Sequence, residues 1–243
     1  MNLTMKIIRN IFLPAIAILA LCASAGAREN GAPNGHRSSS GSRIQAEDVA
    51  ATCTPATAKT DLDINNVRTT IMTGGDMWWN LSNVSYEIPK GGGAHSLFAS
   101  ALWIGGMDEG GSLRVAAQTY GQNGNDFWPG PLDTTDASIE SDVCTQFDRH
   151  WKITRKEVED FAAWQANPAD YPTYSIPEVI QSWPGNGNAP QGHFLAPFYD
   201  QGGDGIYNYM DGDYPGYDLT GSAGCSHYQL YGDQTLWWVF NYR

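Results

Sequence analysis

The chain has 243 residues, with 26 Asp and Glu against 14 Lys and Arg, so its formal net charge at pH 7 is −12. Such an acidic balance argues against nucleic acid and anionic membrane surfaces as partners, because their phosphates need a basic patch. The four Cys residues form no Cys-x-x-Cys pair, so a structural zinc site is not expected.

Residues 1–27 have the pattern of a secretory signal peptide. Lys6 and Arg9 precede an apolar run over residues 11–21, and small residues at 25–27 supply a cleavage site. The apolar run is too short to span a bilayer, so no membrane insertion is expected after cleavage. We expect a secreted chain, located outside the cell or on its outer surface. Its net charge is −14, because the signal peptide holds two basic residues and no acidic ones.

Strand patterns begin after residue 60. Alternating apolar and polar residues predict half-buried strands near residues 67–72 and 84–88. A nearly continuous apolar run over residues 96–104 predicts a buried central strand. The Gly-rich residues 105–111 predict a hairpin loop that leads into a strand over residues 113–120. This order of elements predicts an antiparallel β-meander.

Two helices are predicted in the second half of the chain. Thr154 and Glu157 have the spacing of a capping box, and the helix that they begin is expected to end at Asn167, before a proline. A shorter helix is predicted to start at Ser175 and to end before Pro184. An apolar final strand is predicted after both helices.

The domain organisation follows from these elements. Residues 28–60 are rich in small and polar residues and are predicted to be a flexible leader, and residues 61–243 are predicted to form one β-rich domain. The fold class is mainly β with short helices (α+β), as an antiparallel meander or a sandwich-like domain. The final apolar strand, residues 236–240, has no partner strand after it. We therefore expect the domain to be truncated and the chain to continue into further domains.

The most distinctive segment is the acidic loop, residues 200–213, in which Asp and Asn alternate with glycine. Calcium takes about six to eight oxygen ligands from a tightly bent backbone. In the numbering of an EF-hand loop, Asp200 occupies position 1, Gly205 the turn position 6, and Ile206 the position that offers a carbonyl. The predicted calcium ligands are Asp200, Asp204, Ile206, Asn208, Asp211 and Asp213.

Two departures from the EF-hand pattern limit the kind of site. Gly202 stands at position 3, where a side-chain oxygen is expected, and Gly212 with Pro215 forbids an exit helix. A helix-less, structural calcium loop of an extracellular module is therefore predicted, and a calcium sensor is not. The alternative is an acidic surface turn without metal, because Asp, Asn and Gly are ordinary turn residues.

The nine tryptophans offer a second kind of site, because aromatic faces stack on sugar rings. Four of them flank turns and are candidates for a glycan-binding platform, with burial in the core as the alternative: Trp78, Trp79, Trp128 and Trp183. Three others lie within or beside predicted elements and are expected in the core: Trp103, Trp151 and Trp164.

Catalytic motifs of the common hydrolases, kinases and dinucleotide-binding enzymes are not found in the sequence. Asp126 and Asp148 are candidates for a glycosidase-like carboxylate pair, but carboxylates are so frequent here that such a pairing would be chance. No catalytic residue and no organic cofactor is predicted.

Three cysteines remain after signal cleavage, namely Cys53, Cys144 and Cys225. One disulfide with one leftover thiol is compatible with an oxidising compartment. The connectivity stays open at this point, because sequence alone does not determine it.

Nine short motifs follow one another in a recognisable order. They are LDINNV (62–67), GGDMWW (74–79), YEIP (86–89), LWIGGMD (102–108), LRVAAQTY (113–120), DFWPGPL (126–132), PFYDQGGDGIY (197–207), GDYP (212–215) and GDQTLWWVF (232–240). Together they resemble the N-terminal region of large proteins exported by the bacterial type IX secretion route, a class that carries a C-terminal sorting domain. The resemblance implies a secreted or cell-surface location and implies no activity.

These observations predict an exported, non-enzymatic module, cell-surface or adhesin-related, with a calcium ion bound to the acidic loop. The alternative is an extracellular glycan-binding or hydrolase accessory domain that uses exposed tryptophans. The candidate partners are accordingly an extracellular glycan or a surface protein.

Overall fold

The computed structural model describes residues 53–118, 126–220 and 229–242. The predicted signal peptide, most of the leader and Cys225 lie outside the described residues. The described strands are β1 (Lys59–Leu62), β2 (Thr69–Met72), β3 (Asp76–Met77), β4 (Tyr86–Glu87), β5 (His95–Leu97), β6 (Ser100–Ala101), β7 (Trp103–Met107), β8 (Leu113–Ala117), β9 (Trp128–Pro129), β10 (Trp151–Thr154), β11 (Phe198–Tyr199), β12 (Tyr214–Pro215), β13 (Gln234–Trp237) and β14 (Phe240–Asn241). The helices are α1 (Ser141–Phe147), α2 (Arg155–Ala166) and α3 (Glu178–Gln181), with short 3-10 helices at Pro168–Asp170 and Tyr209–Asp211.

The fold is mainly β with a few short helices, as predicted, and its strands form small antiparallel sheets. The largest sheet has four strands in the order β1-β2-β3-β6. The two-stranded sheets pair β4 with β5, β7 with β8, β9 with β14, β10 with β13 and β11 with β12. Short strands suit this composition of 27 Gly and 13 Pro, because both residues interrupt hydrogen-bonded ladders.

Strand β2 is buried more completely than its alternating sequence predicts. It pairs antiparallel with β1, with Lys59 opposite Met72, and all four of its residues are buried. Its position explains this burial, because β1 and β3 pair with its two edges. The buried hydroxyl of Thr70 is satisfied by donating to Asp61 Oδ1 at 2.6 Å. The predicted strand is therefore confirmed, while the prediction that it is only half-buried is wrong.

The predicted buried strand over residues 96–104 is also wrong. This apolar run contributes to three different sheets, through β5, β6 and β7. The predicted hairpin is confirmed as β7–β8, with Met107 opposite Leu113, although residues 105–107 belong to the strand rather than to the loop. Its apolar side chains are exposed, with Trp103, Met107 and Leu113 at 70%, 74% and 73%. Among the described residues, no element covers this face.

The main hydrophobic cluster lies in the second half of the chain, around β10, α2 and α3. Strand β10 pairs antiparallel with β13, and α2 begins directly after β10. Trp164 packs against the cluster, as predicted. The buried members are Phe147, Trp151, Ile153, Val158, Phe161, Ile180, Trp183, Ala196, Tyr214, Tyr217 and Leu230.

Helix α2 matches the sequence prediction closely. The Thr154 hydroxyl accepts a hydrogen bond from the Glu157 amide at 3.2 Å, and Glu157 Oε2 accepts one from the Thr154 amide at 2.8 Å. These reciprocal bonds are the predicted capping box. The helix ends at Ala166 and its cap is Asn167.

Other boundaries differ from the predictions. Helix α3 was predicted to start at Ser175, but it begins at Glu178 and its N-cap residue is Pro177. Helix α1 was not predicted, since residues 141–147 show no capping signal. The predicted final strand divides into β13 and β14, which pair with β10 and β9 in two different sheets.

In the part of the chain that the structure describes, no helix is long and apolar enough to cross a membrane.

A disulfide joins Cys53 to Cys144 across 91 positions of sequence. Both cysteines are buried in a small second cluster with Trp128 and Ile139. The bond therefore attaches the segment before β1 to helix α1. The sequence left this connectivity open, because the two residues are brought together only by the fold.

Candidate functional site

The acidic loop, residues 200–213, connects β11 to β12. The two strands pair antiparallel, with Tyr199 opposite Tyr214, and these two rings stack with centroids 5.0 Å apart. The fourteen residues of the loop are therefore closed at their base by a short β-ladder.

Asp213 holds the two ends of the acidic loop together. Its side chain is buried, and its Oδ1 and Oδ2 accept hydrogen bonds from the amides of Gln201 and Asn208, each at 2.8 Å. The carboxylate thus replaces two backbone acceptors that the irregular loop lacks. Its assignment as a calcium ligand stays a prediction, while its structural role is visible.

The first half of the acidic loop wraps around Asp200. Its Oδ1 accepts from the Gly203 amide at 2.5 Å, and its Oδ2 accepts from the Gly205 amide at 2.7 Å. Both glycines have positive φ, near 71° and 77°, which a residue with a Cβ rarely adopts. The Gly205 hydrogen bond lowers the pKa of Asp200, and the Gly203 bond adds to this effect against an opposing contribution from burial. Asp200 is therefore ionised near neutral pH.

The second half of the acidic loop is a short 3-10 helix capped by Asn208. Its Oδ1 accepts from the Met210 amide at 3.1 Å, and its Nδ2 donates to Asp211 Oδ2 at 2.6 Å. Asp204 accepts from the amide of Ile206 at 2.8 Å. Asp204, Ile206 and Asp211 are exposed to solvent.

The predicted ligands supply only oxygen donors, which is the chemistry that calcium prefers. None of the ion pairs among the described residues involves a carboxylate of the acidic loop. Within the described ranges, no three His, Cys, Asp or Glu side chains converge closely enough to hold a metal ion. The donor set therefore fits a hard cation, and an ion would have to draw the exposed carboxylates together.

Asn186 clamps the acidic loop from a neighbouring turn. Its Oδ1 accepts from the Tyr207 amide at 2.6 Å, and its Nδ2 donates to the Gly205 carbonyl at 2.9 Å. Gly185 before it must lack a side chain, because a Cβ there would lie 2.6 Å from Tyr207 Cβ. Sequence reasoning missed this clamp, since nothing in the sequence links residue 186 to a loop about twenty positions away.

Two further contacts attach the acidic loop to the main hydrophobic cluster. The Tyr207 hydroxyl donates to the Ile180 carbonyl at 2.6 Å, and burial raises the pKa of this tyrosine. From α2, Gln165 Nε2 donates to the Tyr209 carbonyl at 3.1 Å. The acidic loop is therefore anchored to the two helices that cover the core.

The tryptophans do not form the predicted platform. Trp128 and Trp183 are buried, at 7% and 3% exposure, and Trp183 Nε1 donates to a backbone carbonyl inside the core. Trp78 and Trp79 are half-buried. Trp103, which the sequence places in the core, is instead 70% exposed on β7. A position beside a turn does not predict that a tryptophan is exposed, because the burial of its ring depends on which residues pack against it.

The carboxylates of Asp126 and Asp148 hold different parts of the backbone. Asp126 Oδ2 accepts from the Ala117 amide at 2.7 Å. Asp148 accepts from the Thr57 and Ala58 amides and from the hydroxyl of Thr73, the last at 2.6 Å. Burial alone would raise the pKa of Asp148, but these hydrogen bonds outweigh it and lower the pKa. Both residues act as structural acceptors.

His150 is partly buried. Its Nδ1 lies 3.1 Å from the hydroxyl of Thr60, and its ring packs edge-on against Trp238 with centroids 5.1 Å apart. Burial lowers its pKa to about 4, so the imidazole is neutral at pH 7.

Comparisons of this chain with protein-family models, with curated proteins and with solved structures found no match.

Proposed function

We propose that this chain is an exported, non-enzymatic module of a cell-surface or adhesin-related protein, and that its acidic loop binds one structural calcium ion. Export would follow the type IX route that the sequence motifs resemble. The ion would be held by oxygens of Asp200, Asp204, Asn208, Asp211 and Asp213, together with the Ile206 carbonyl. Calcium would supply positive charge and would fix the loop on the domain.

The observation that carries the proposal is the arrangement of the acidic loop. Its backbone bends around Asp200 through two positive-φ glycines, and four Asp carboxylates lie within fourteen residues without a described cationic partner. Like charges in one loop repel one another. A divalent cation removes that repulsion and gains the oxygen ligands that it prefers.

The extracellular part of the proposal has separate support. The N-terminal sequence has the three regions of a signal peptide. The Cys53–Cys144 disulfide is the kind of bond that persists in oxidising compartments. Calcium is abundant enough outside cells to occupy loops with dissociation constants of about 0.1–1 mM.

Thermal unfolding and calorimetric titration with calcium test the proposal. At a calcium concentration one hundred times the dissociation constant, ligand binding stabilises the folded state by about 2.7 kcal/mol. For a domain of this size the melting temperature should rise by roughly 5–10 °C. An Asp204→Asn, Asp211→Asn double variant should lose the rise, and Glu159→Gln on the exposed face of α2 should keep it.

An unchanged melting temperature and no heat of binding at calcium concentrations one hundred times these dissociation constants would disprove the calcium site. An equal response of the double variant and the Glu159→Gln control would show that calcium binds elsewhere on this acidic chain.

A further inference from the structure

A polar cleft of about 760 Å³ lies between the four-stranded sheet and the β4–β5 hairpin. Its lining comes from β1, β2, the turn residues 80–85 and the β4–β5 hairpin. Eleven of its twelve lining residues are polar or glycine, and Val84 is the exception. The volume is within the range of about 300–1,000 Å³ that small-molecule sites occupy. None of the lining residues belongs to the acidic loop.

Strand alternation builds the floor of the cleft. Lys59 and Asp61 are two positions apart on β1, so their side chains share one face of the sheet. Asp61 lies opposite Thr70 on β2, whose hydroxyl donates to Asp61 Oδ1 at 2.6 Å. Thr60, between these two residues, also lines the cleft, and its hydroxyl lies 3.1 Å from His150 Nδ1. The floor of the cleft is therefore formed by polar side chains of the paired strands β1 and β2.

The charges of the cleft cancel. Arg68 pairs with Glu87 at 2.9 Å, and Glu87 Oε1 also accepts from the Gly93 amide at 2.9 Å. Lys59 and Asp61 add one positive and one negative charge. A net charge near zero stands out on a chain whose formal charge is −12. The formal charges of the lining Lys, Arg, Asp and Glu residues therefore sum to zero.

Several polar groups of the lining remain available to a ligand. Within the described residues, the amine of Lys59 and the side-chain amide of Asn83 make no hydrogen bond or ion pair, and both residues are exposed. The ring of His95 lies 3.2 Å from the Tyr86 carbonyl through Nδ1, which must therefore donate and leaves Nε2 as an acceptor. Donors and acceptors are thus mixed along the cleft.

We propose that this cleft binds a neutral oligosaccharide. Sugar hydroxyls both donate and accept hydrogen bonds, so they match a lining in which ammonium, amide and carboxylate groups alternate. An uncharged ligand suits the balanced charges, and the nearly complete absence of apolar lining residues disfavours a hydrophobic ligand. The site needs neither the tryptophans nor the acidic loop, so its test is independent of the calcium proposal.

The test is a binding screen of the labelled chain on an array of neutral and acidic oligosaccharides, followed by titration calorimetry with the neutral oligosaccharide that binds best. Lys59→Ala and Asn83→Ala should each weaken binding by about tenfold, as expected for one lost hydrogen bond to a ligand. Lys156→Ala is the matched control, because Lys156 is an exposed lysine on α2 far from the cleft in sequence. Thermal unfolding of each variant should remain unchanged, because both cleft residues are exposed.

Three results would overturn the proposal. The first is no binding to any neutral oligosaccharide on the array. The second is binding to acidic oligosaccharides only, which would contradict the charge balance. The third is equal affinity in the Lys59→Ala, Asn83→Ala and Lys156→Ala variants, which would place the ligand outside the cleft.

Discussion

Strands β10 and β7 both begin with a tryptophan and carry an isoleucine, yet only β10 buries these two apolar side chains. Trp151 and Ile153 of β10 are 4% and 0% exposed, whereas Trp103 and Ile104 of β7 are 70% and 51% exposed. Both strands have one antiparallel partner. The difference is that helices α2 and α3 pack against β10, whereas no described element covers the β7–β8 pair. A β-ladder satisfies the backbone, but burial needs another element to cover the face.

The largest expected effect is the difference in unfolding free energy between truncating a buried side chain of the main cluster and truncating an exposed side chain of the β7–β8 hairpin. Phe161→Ala in the main cluster should cost about 4 kcal/mol of unfolding free energy, because it leaves a cavity in a packed core. Leu113→Ala on the β7–β8 hairpin should cost no more than about 0.5 kcal/mol, because its side chain is already exposed. Urea denaturation of both variants measures the contrast. Similar losses for the two variants would mean that the hairpin face is covered in solution.

A smaller effect is expected at the disulfide, which links the segment before β1 to helix α1. Replacing both Cys53 and Cys144 with Ser should cost about 3 kcal/mol, a typical cost for the loss of a disulfide, because the unfolded chain gains conformational freedom. Chemical denaturation gives this value, and Cys225→Ser is the control for loss of a cysteine outside the pair. Reductant should destabilise the wild-type chain by the same amount and leave the double variant unaffected. Stability that does not respond to reductant would contradict the assigned bond.

The smallest expected effect concerns Asp148, which binds the same segment through hydrogen bonds. Asp148→Asn replaces an acceptor oxygen with a donor and should cost about 2 kcal/mol at pH 7. The pKa of Asp148 is lowered in the folded state. Its contribution is therefore complete above the ordinary carboxyl pKa of 3.8 and is lost as the pH falls through the lower folded value.

Denaturation curves between pH 7 and pH 2 measure this dependence. The difference between wild type and Asp148→Asn should shrink in the acid range, while the exposed control Asp142→Asn should follow the wild type throughout. A difference that stays constant down to pH 2 would show that the Asp148 carboxylate makes no charge-dependent contribution.

Local signals predicted the parts of the fold that depend on neighbouring residues. The capping box of Thr154 and Glu157 gave the start of α2, and the Gly-rich residues 105–111 indicated the hairpin of β7 and β8, although residues 105–107 belong to β7. The acidic loop was recognised because its Asp and Gly residues are contiguous in sequence. In each case the interactions that determine the local structure join residues only a few positions apart in sequence.

The sequence-based predictions were wrong where contacts between residues far apart in sequence determine the structure. The apolar residues 96–104 predicted one buried strand, but three sheets divide them. The exposure of Trp103 reverses the expectation drawn from its local context, and the burial of Trp183 selects the core, which the sequence left open as an alternative. The loop clamp by Asn186, which acts across about twenty positions, was not predicted.

The sequence by itself determined the mainly β character of this protein, the helix that Thr154 caps, and the position of an acidic, glycine-rich loop. These features arise from backbone preferences and side-chain contacts over a few residues. Only the tertiary structure decided the Cys53–Cys144 pairing, the burial of each tryptophan and the polar cleft between β1, β2 and the β4–β5 hairpin. Those features depend on which surfaces the folded chain brings together, and no local pattern encodes that choice.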